Sequence, residues 1–147
     1  MMKNTQKITR LQLNAVPKEE DILIGIVSSD PDYKLSLSIN KKFRISLKNI
    51  TPLKIHDDIR PELSFSRFSD STRSPELIFN LYSNRSDKIY LLKKLKNVDY
   101  ILQVQDYENE YDINRLFSGL REIESVNAVF YIDKKIIKEK YLQYLTL

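Results

Sequence analysis

The sequence predicts an α+β fold, a mostly antiparallel sheet carrying two main helices on one face, and three observations lead there. Short β-branched and aromatic runs recur along the chain, two segments carry apolar residues at helical spacing, and each of these segments lies between strand-like runs. A length of 147 residues suits one domain, and 41% hydrophobic residues against 30% charged supply the apolar surface that must outweigh the entropy of ordering. The expected layout is a single domain over 1–147, with 1–20 as an N-terminal strap or edge strand and 134–147 as a C-terminal segment.

The elements follow in order. Ile8, Leu11, Leu13 and Val16 alternate weakly before Pro17 and a Lys-Glu-Glu cluster. Ile22 to Val27 is a continuous β-branched-rich run, which predicts a central strand apolar on both faces. Leu35, Ile39 and Phe43 then fall at i, i+4 and i+8, and the preceding residues settle a helix from about 31 to 43. Ser29 or Asp30 is positioned to cap it, Pro31 gives up an N–H that the first turn does not need, and Asp32 complements the positive helix end.

Residues 44–62, with Pro52 and Pro61, read as an irregular crossover covering one sheet edge. Leu63–Phe68 and Leu77–Tyr82 read as the strands of a hairpin, and Leu91–Leu95 as a helical turn or two. Tyr100–Val104 reads as a further strand. Ile113, Leu116, Phe117, Leu120 and Ile123 form the best helical stripe in the chain, and Val126–Ile132 closes as a strand. This last β-α-β crosses between parallel strands. Residues 134–147 fit a helix through Ile137, Tyr141 and Leu145, or a strand through Tyr141, Gln143, Leu145 and Leu147. The order β-α-β-β-β-α-β is that of a ferredoxin-like sandwich or a close variant. The expected core comprises Ile24, Ile26, Leu35, Ile39, Leu102, Val104, Leu116, Leu120, Ile123 and Phe130.

Composition removes several chemistries. Two Gly leave no Gly-rich phosphate loop, and no Cys with a single His leaves nothing for the usual zinc cages or thiol nucleophiles. His56-Asp57-Asp58 lacks the further ligands that complete a metal shell, so it reads as surface loop. Ser28-Ser29-Asp30 reads as capping, because Asp30 and Asp32 would repel a phosphate there. Asp106, Glu108, Glu110 and Asp112 lack calcium-loop spacing and read as a solvated loop. No cofactor or catalytic constellation is expected. The N-terminus has no apolar core of a secretory signal, no segment reaches the roughly 20 apolar residues of a membrane span, and the lack of Cys suits the cytoplasm.

The net charge is +4, and its distribution is uneven. Arg85, Lys88, Lys93, Lys94 and Lys96, interleaved with Tyr90, form a basic stretch, whereas seven acids crowd Asp99–Glu124. A sparse cationic footprint dominated by Lys argues against specific nucleic-acid binding. The first strand divides into Ile22, Ile24 and Ile26, with Val129 and Tyr131, against Leu23 and Val27, with Ala128 and Phe130. Two helices cover one of these sets, so the other needs a terminal segment or a second subunit.

Three segments, Asp21–Asn40, Leu81–Ile101 and Arg121–Asp133, together resemble the IPExxVD family, small uncharacterised bacterial proteins found mainly in Bacteroidetes. The landmarks are the Asp-Tyr pair before the first helix, the Ser-Asn-Arg turn and the Tyr-X-X-Asp-like ending, although Glu124 follows Ile123 where the family pattern has proline. The resemblance implies a bacterial cytosolic protein and carries over no catalytic residue. The expected function is a non-catalytic interaction or structural module, homodimeric through a sheet face or edge. Its interaction surface would draw on Arg85, Lys88, Tyr90, Lys93, Lys94, Lys96, Val129 and Tyr131. The alternative is a regulatory module that binds a small ligand at a dimer interface.

Overall fold

A computed structural model of the chain describes residues 21–56, 62–137 and 141–145. The N-terminal strap expected over 1–20 lies outside the described residues, as do Asp57 and Asp58. Strand β1 (Ile22–Ser28) leads into helix α1 (Asp32–Phe43), then β2 (Lys48–Ile55), β3 (Leu63–Arg73) and β4 (Leu77–Ser83). A small hairpin, β5 (Arg85–Ser86) and β6 (Ile89–Tyr90), and a 3-10 turn at Lys93–Leu95 precede β7 (Tyr100–Asp106), α2 (Ile113–Arg121) and β8 (Val126–Ile132). A second 3-10 turn spans Leu142–Tyr144, so among the described residues of the C-terminal segment neither of the two forms its spacing allowed is found.

The six-stranded sheet has the order β2-β3-β4-β7-β1-β8, and every neighbouring pair is antiparallel. Strands β7 and β8 are parallel to each other, as the crossover through α2 predicts, but β1 lies between them. The apolar run of β1 earns this central place because both its neighbours and both its faces are occupied. Gly25 is required there: a Cβ would lie 2.9 Å from Phe130 Cε2, so the bare backbone is what lets the Phe130 ring lie across β1.

Both helices pack on one face. Leu35 and Ile39 of α1 and Leu116 and Leu120 of α2 share a core with Ile24, Ile26, Phe79, Leu81, Leu102 and Val104. Nine of the ten expected core residues lie in this cluster, and the tenth, Phe130, is half-buried on the opposite face. The α1 cap departs from expectation. Pro31 itself occupies the N-cap with no side-chain cap bond, and Ser28 Oγ instead accepts from the Asp30 N–H at 3.2 Å. The Tyr100 hydroxyl donates to the Asp30 carbonyl at 2.6 Å, and burial, with the charges of Asp32, Asp99 and Asp30, pushes its pKa up to about 12. At α2, Asp112 does cap, accepting from the Arg115 N–H at 3.0 Å.

Residues 48–55, expected as crossover, form an edge strand instead. Asn40 makes this possible: its side chain accepts from the Leu47 N–H at 2.7 Å and donates to the Leu47 carbonyl at 3.0 Å, so the chain leaves α1 extended. Asp70 then anchors Ser46 from the neighbouring strand, its Oδ2 accepting from the Ser46 N–H at 2.8 Å.

The other face of the sheet is covered by the chain itself. Leu91, Leu92 and Val98 from the loop after β6, with Tyr141 and Leu145, pack on Leu23, Tyr82, Ile101 and Ile132. Asn84, fully buried, shapes that loop: it donates to the Leu95 and Val98 carbonyls at 2.9 Å and accepts from the Leu92 N–H at 2.8 Å. The apolar set on β1 that needed a terminal segment or a second subunit is thus covered within one chain, by part of the C-terminal segment together with the loop after β6.

Candidate functional site

The cover stops partway across the sheet. Register places Lys48, Ser69, Asn80 and Gln103 side by side on β2, β3, β4 and β7, continuing to Leu23 on β1. The next row runs Ile50, Arg67, Tyr82 and Ile101. Side chains of alternate residues share a face, so at this end of the strands the outer half of the face is polar and the inner half apolar, while at the other end Ile55, Leu63 and Phe65 of the outer strands join the buried apolar cluster. Tyr141 and Leu145 sit over the inner half. The outer half remains an open groove of about 660 Å³, walled on one side by Tyr144 and Leu145.

Gln103, 1% exposed, fixes the groove floor. Its Oε1 accepts from Asn80 Nδ2 at 3.1 Å and from the Tyr82 hydroxyl at 3.3 Å. Its Nε2 donates to Asp21 Oδ2 at 2.8 Å and to the Leu145 carbonyl. A primary amide has two acceptor and two donor positions, and all four are used, so a buried glutamine is satisfied here. Gln105 Nε2 also reaches Asp21 Oδ2, at 3.4 Å. Burial is the largest influence on Asp21 and raises its pKa against the lowering effects of Gln105, Lys134 and Gln103.

Arg67 stands beside Tyr82 in the second row. Its Nε is buried and finds no hydrogen-bond partner among the described residues. Burial raises the Tyr82 pKa, and the adjacent Arg67 charge opposes that shift. Among the described residues the groove lining includes two cations, Arg67 and Lys48, and no carboxylate. Ser69, Ser71 and the amides of Asn80 and Gln105 add neutral donors, while Ile50, Leu53 and Ile78 add apolar surface. Such a lining can bind an oxyanion attached to an apolar body.

The residues expected to form an interaction surface do not come together. Arg85, Lys88, Lys93, Lys94 and Lys96 are exposed and Tyr90 half-buried on the covering loop. Val129 lies under the helices at 6% exposure and is not an outward position. Tyr131 is 50% exposed on the helix side, its ring stacked on Phe117 at 4.4 Å. His56 is exposed, and among the described residues no group of three or more His, Cys, Asp or Glu could hold a metal ion. Asp106 and Asp112 cap backbone N–H groups, which explains two members of the acidic cluster, and Glu108 and Glu110 are exposed.

Sequence reasoning missed Arg67, Lys48, Asn80, Gln103 and Gln105. A signal was present: Asn80, Gln103 and Gln105 interrupt strongly apolar strands at positions of one parity, which marks a polar sheet face. Neither a protein-family model, nor a curated protein, nor a solved structure matches the chain. Among the described residues no helix is long and apolar enough to cross a membrane.

Proposed function

We propose that the protein is a non-catalytic binding module that seats a small organic anion in the groove over β2, β3, β4 and β7. One observation carries this reading: Arg67, whose buried Nε has no hydrogen-bond partner among the described residues, lines a groove with a second cation and, among the described residues, no acid. A desolvated donor of this kind costs free energy unless something bonds to it, and a carboxylate or phosphate matches the planar fork of arginine. The ligand site lies within one chain, not at a dimer interface.

The scaffold fits a ferredoxin-like reading. Its support is the order β8-β1-β7-β4, with α1 following β1 and α2 joining β7 to β8, to which β2 and β3 add two outer strands. The absence of Cys supports the cytoplasm. Membership of the IPExxVD family rests on the three segments quoted above.

The test is thermal unfolding and calorimetric titration with inorganic phosphate and with a series of short mono- and dicarboxylates. At least one probe should bind and raise the melting temperature of the natural chain, and Arg67→Gln should abolish the effect while the protein stays folded. Binding that is indifferent to Arg67→Gln, or no binding by any probe, would overturn the reading.

A further inference from the structure

The two edges of the sheet are built differently. Edge strand β2 carries Lys48, Pro52 and Lys54 and a register break between Ile50 and Leu53, features that discourage pairing with another strand. Edge strand β8, VNAVFYI, contains neither a charge nor a proline. Its register break lies at the Asn127 end, so Ala128–Ile132 is a regular run. Among the described residues no strand pairs with its outer side. Such an edge offers a row of backbone donors and acceptors to another strand.

We infer that β8 is the self-association edge of this protein, pairing antiparallel with β8 of a second copy about a twofold axis to form one continuous sheet. The flanking charges select this occupant. Exposed Glu122 and Glu124 precede the strand, and Lys134 and Lys135 follow it. An antiparallel pairing centred on Val129 brings Glu124 alongside the second copy's Lys134 and Lys135, and symmetry repeats the match at the other end. Asp133 then lies beside Ser125 instead of an acid. A parallel pairing would set Glu124 against Glu124. Around the axis, Tyr131 supplies an exposed aromatic surface beside Phe117, whose ring carries the Arg121 guanidinium at 4.7 Å. The axis is on the side of the sheet away from β2 and β3, so both ligand grooves stay open in the dimer.

Light scattering and sedimentation of the full chain test this. The mass should be twice 17.4 kDa at micromolar concentration and fall on dilution. Glu124→Lys, an exposed change that spares the fold, should raise the dimer dissociation constant by about tenfold or more through like-charge contacts. Adding Lys134→Glu and Lys135→Glu to that variant should restore association. Ala128→Lys should give a monomer, with circular dichroism unchanged. A monomer at every concentration, as when residues 1–20 or nothing at all occupies the edge, would overturn the inference. So would a dimer that ignores the Glu124 change and its reversal, or one disrupted by Arg67→Gln instead.

Discussion

Gln103 Nε2 donates to the carbonyl oxygen of Leu145, joining the centre of β7 to a segment 42 residues further along the chain. The same side chain also satisfies Asn80, Tyr82 and Asp21, so one amide holds the groove floor and the groove wall in place.

Replacing Gln103 by Leu should therefore cost on the order of 2–3 kcal/mol, since several buried polar groups lose their partner at once. Urea unfolding measures the loss. Hydrogen exchange should show faster exchange of the amides in 141–145 before any change in β1. A loss under about 0.5 kcal/mol would mean that water replaces the amide freely.

Leu120→Ala should cost about 2–5 kcal/mol, because Leu120 is fully buried between α2 and the sheet. Its neighbour gives a sharper test. A Cβ on Gly119 would lie 2.6 Å from Phe43 Cε1, so Gly119→Ala should destabilise by about 1–3 kcal/mol despite alanine's better helix propensity. In a Phe43→Leu background the same change should become neutral or stabilising. Equal costs in both backgrounds would remove the steric explanation.

Acid titration separates Asp70 from Asp21. Burial raises the Asp70 pKa, but hydrogen bonds from Thr72 and Ser46 and the Arg73 charge outweigh it, so the folded value lies below the ordinary one. Its contribution to stability is present above the unfolded pKa and is lost as pH falls through the folded one. Asp70→Asn should thus be less stable by about 1–3 kcal/mol at neutral pH, with the gap closing in acid. Asp21 has the opposite sign. Its raised folded value means that the native state binds the proton more tightly, so stability rises as pH falls through that value. Asp21→Asn should match or exceed natural stability at neutral pH and lose any advantage below the raised pKa. Stability curves of the two variants with the same pH slope would refute the assignment.

The basic loop from Arg85 to Lys96 should bind nucleic acid only through phosphate contacts. Any affinity should fall steeply between low and about 200 mM salt and show no sequence preference. Selective binding that survives such salt and disappears in a Lys93/Lys94/Lys96→Ala variant would contradict this.

Local periodicity was enough to read β1, α2 and β8, because each carries an unbroken run or stripe, whereas α1 also needed the residues at its start to settle it as a helix. It failed at β2, where Thr51, Pro52 and two lysines look like loop; those residues are tolerated because the strand lies at an edge. It also failed at the second face of β1. Leu91, Leu92, Tyr141 and Leu145 are apolar in sequence, but only the Asn84 loop and the Gln103 contact determine where they dock. The groove was hidden for a related reason. Lys48, Ser69, Asn80 and Gln103 become neighbours through register across four strands, and register is set by long-range pairing, not by spacing along the chain.

The placement of β2 and β3 outside the order β8-β1-β7-β4 divides labour within one sheet. Both groove cations, Lys48 and Arg67, belong to the two outer strands, while the residues packed beneath the helices come chiefly from the inner four. Substitutions at the groove-lining positions of the outer pair, unlike those at the buried Ile55, Phe65 and Phe68, can therefore retune charge and shape with little cost to folding. The scaffold is evolvable: related chains could keep the inner four strands and diverge in what they bind.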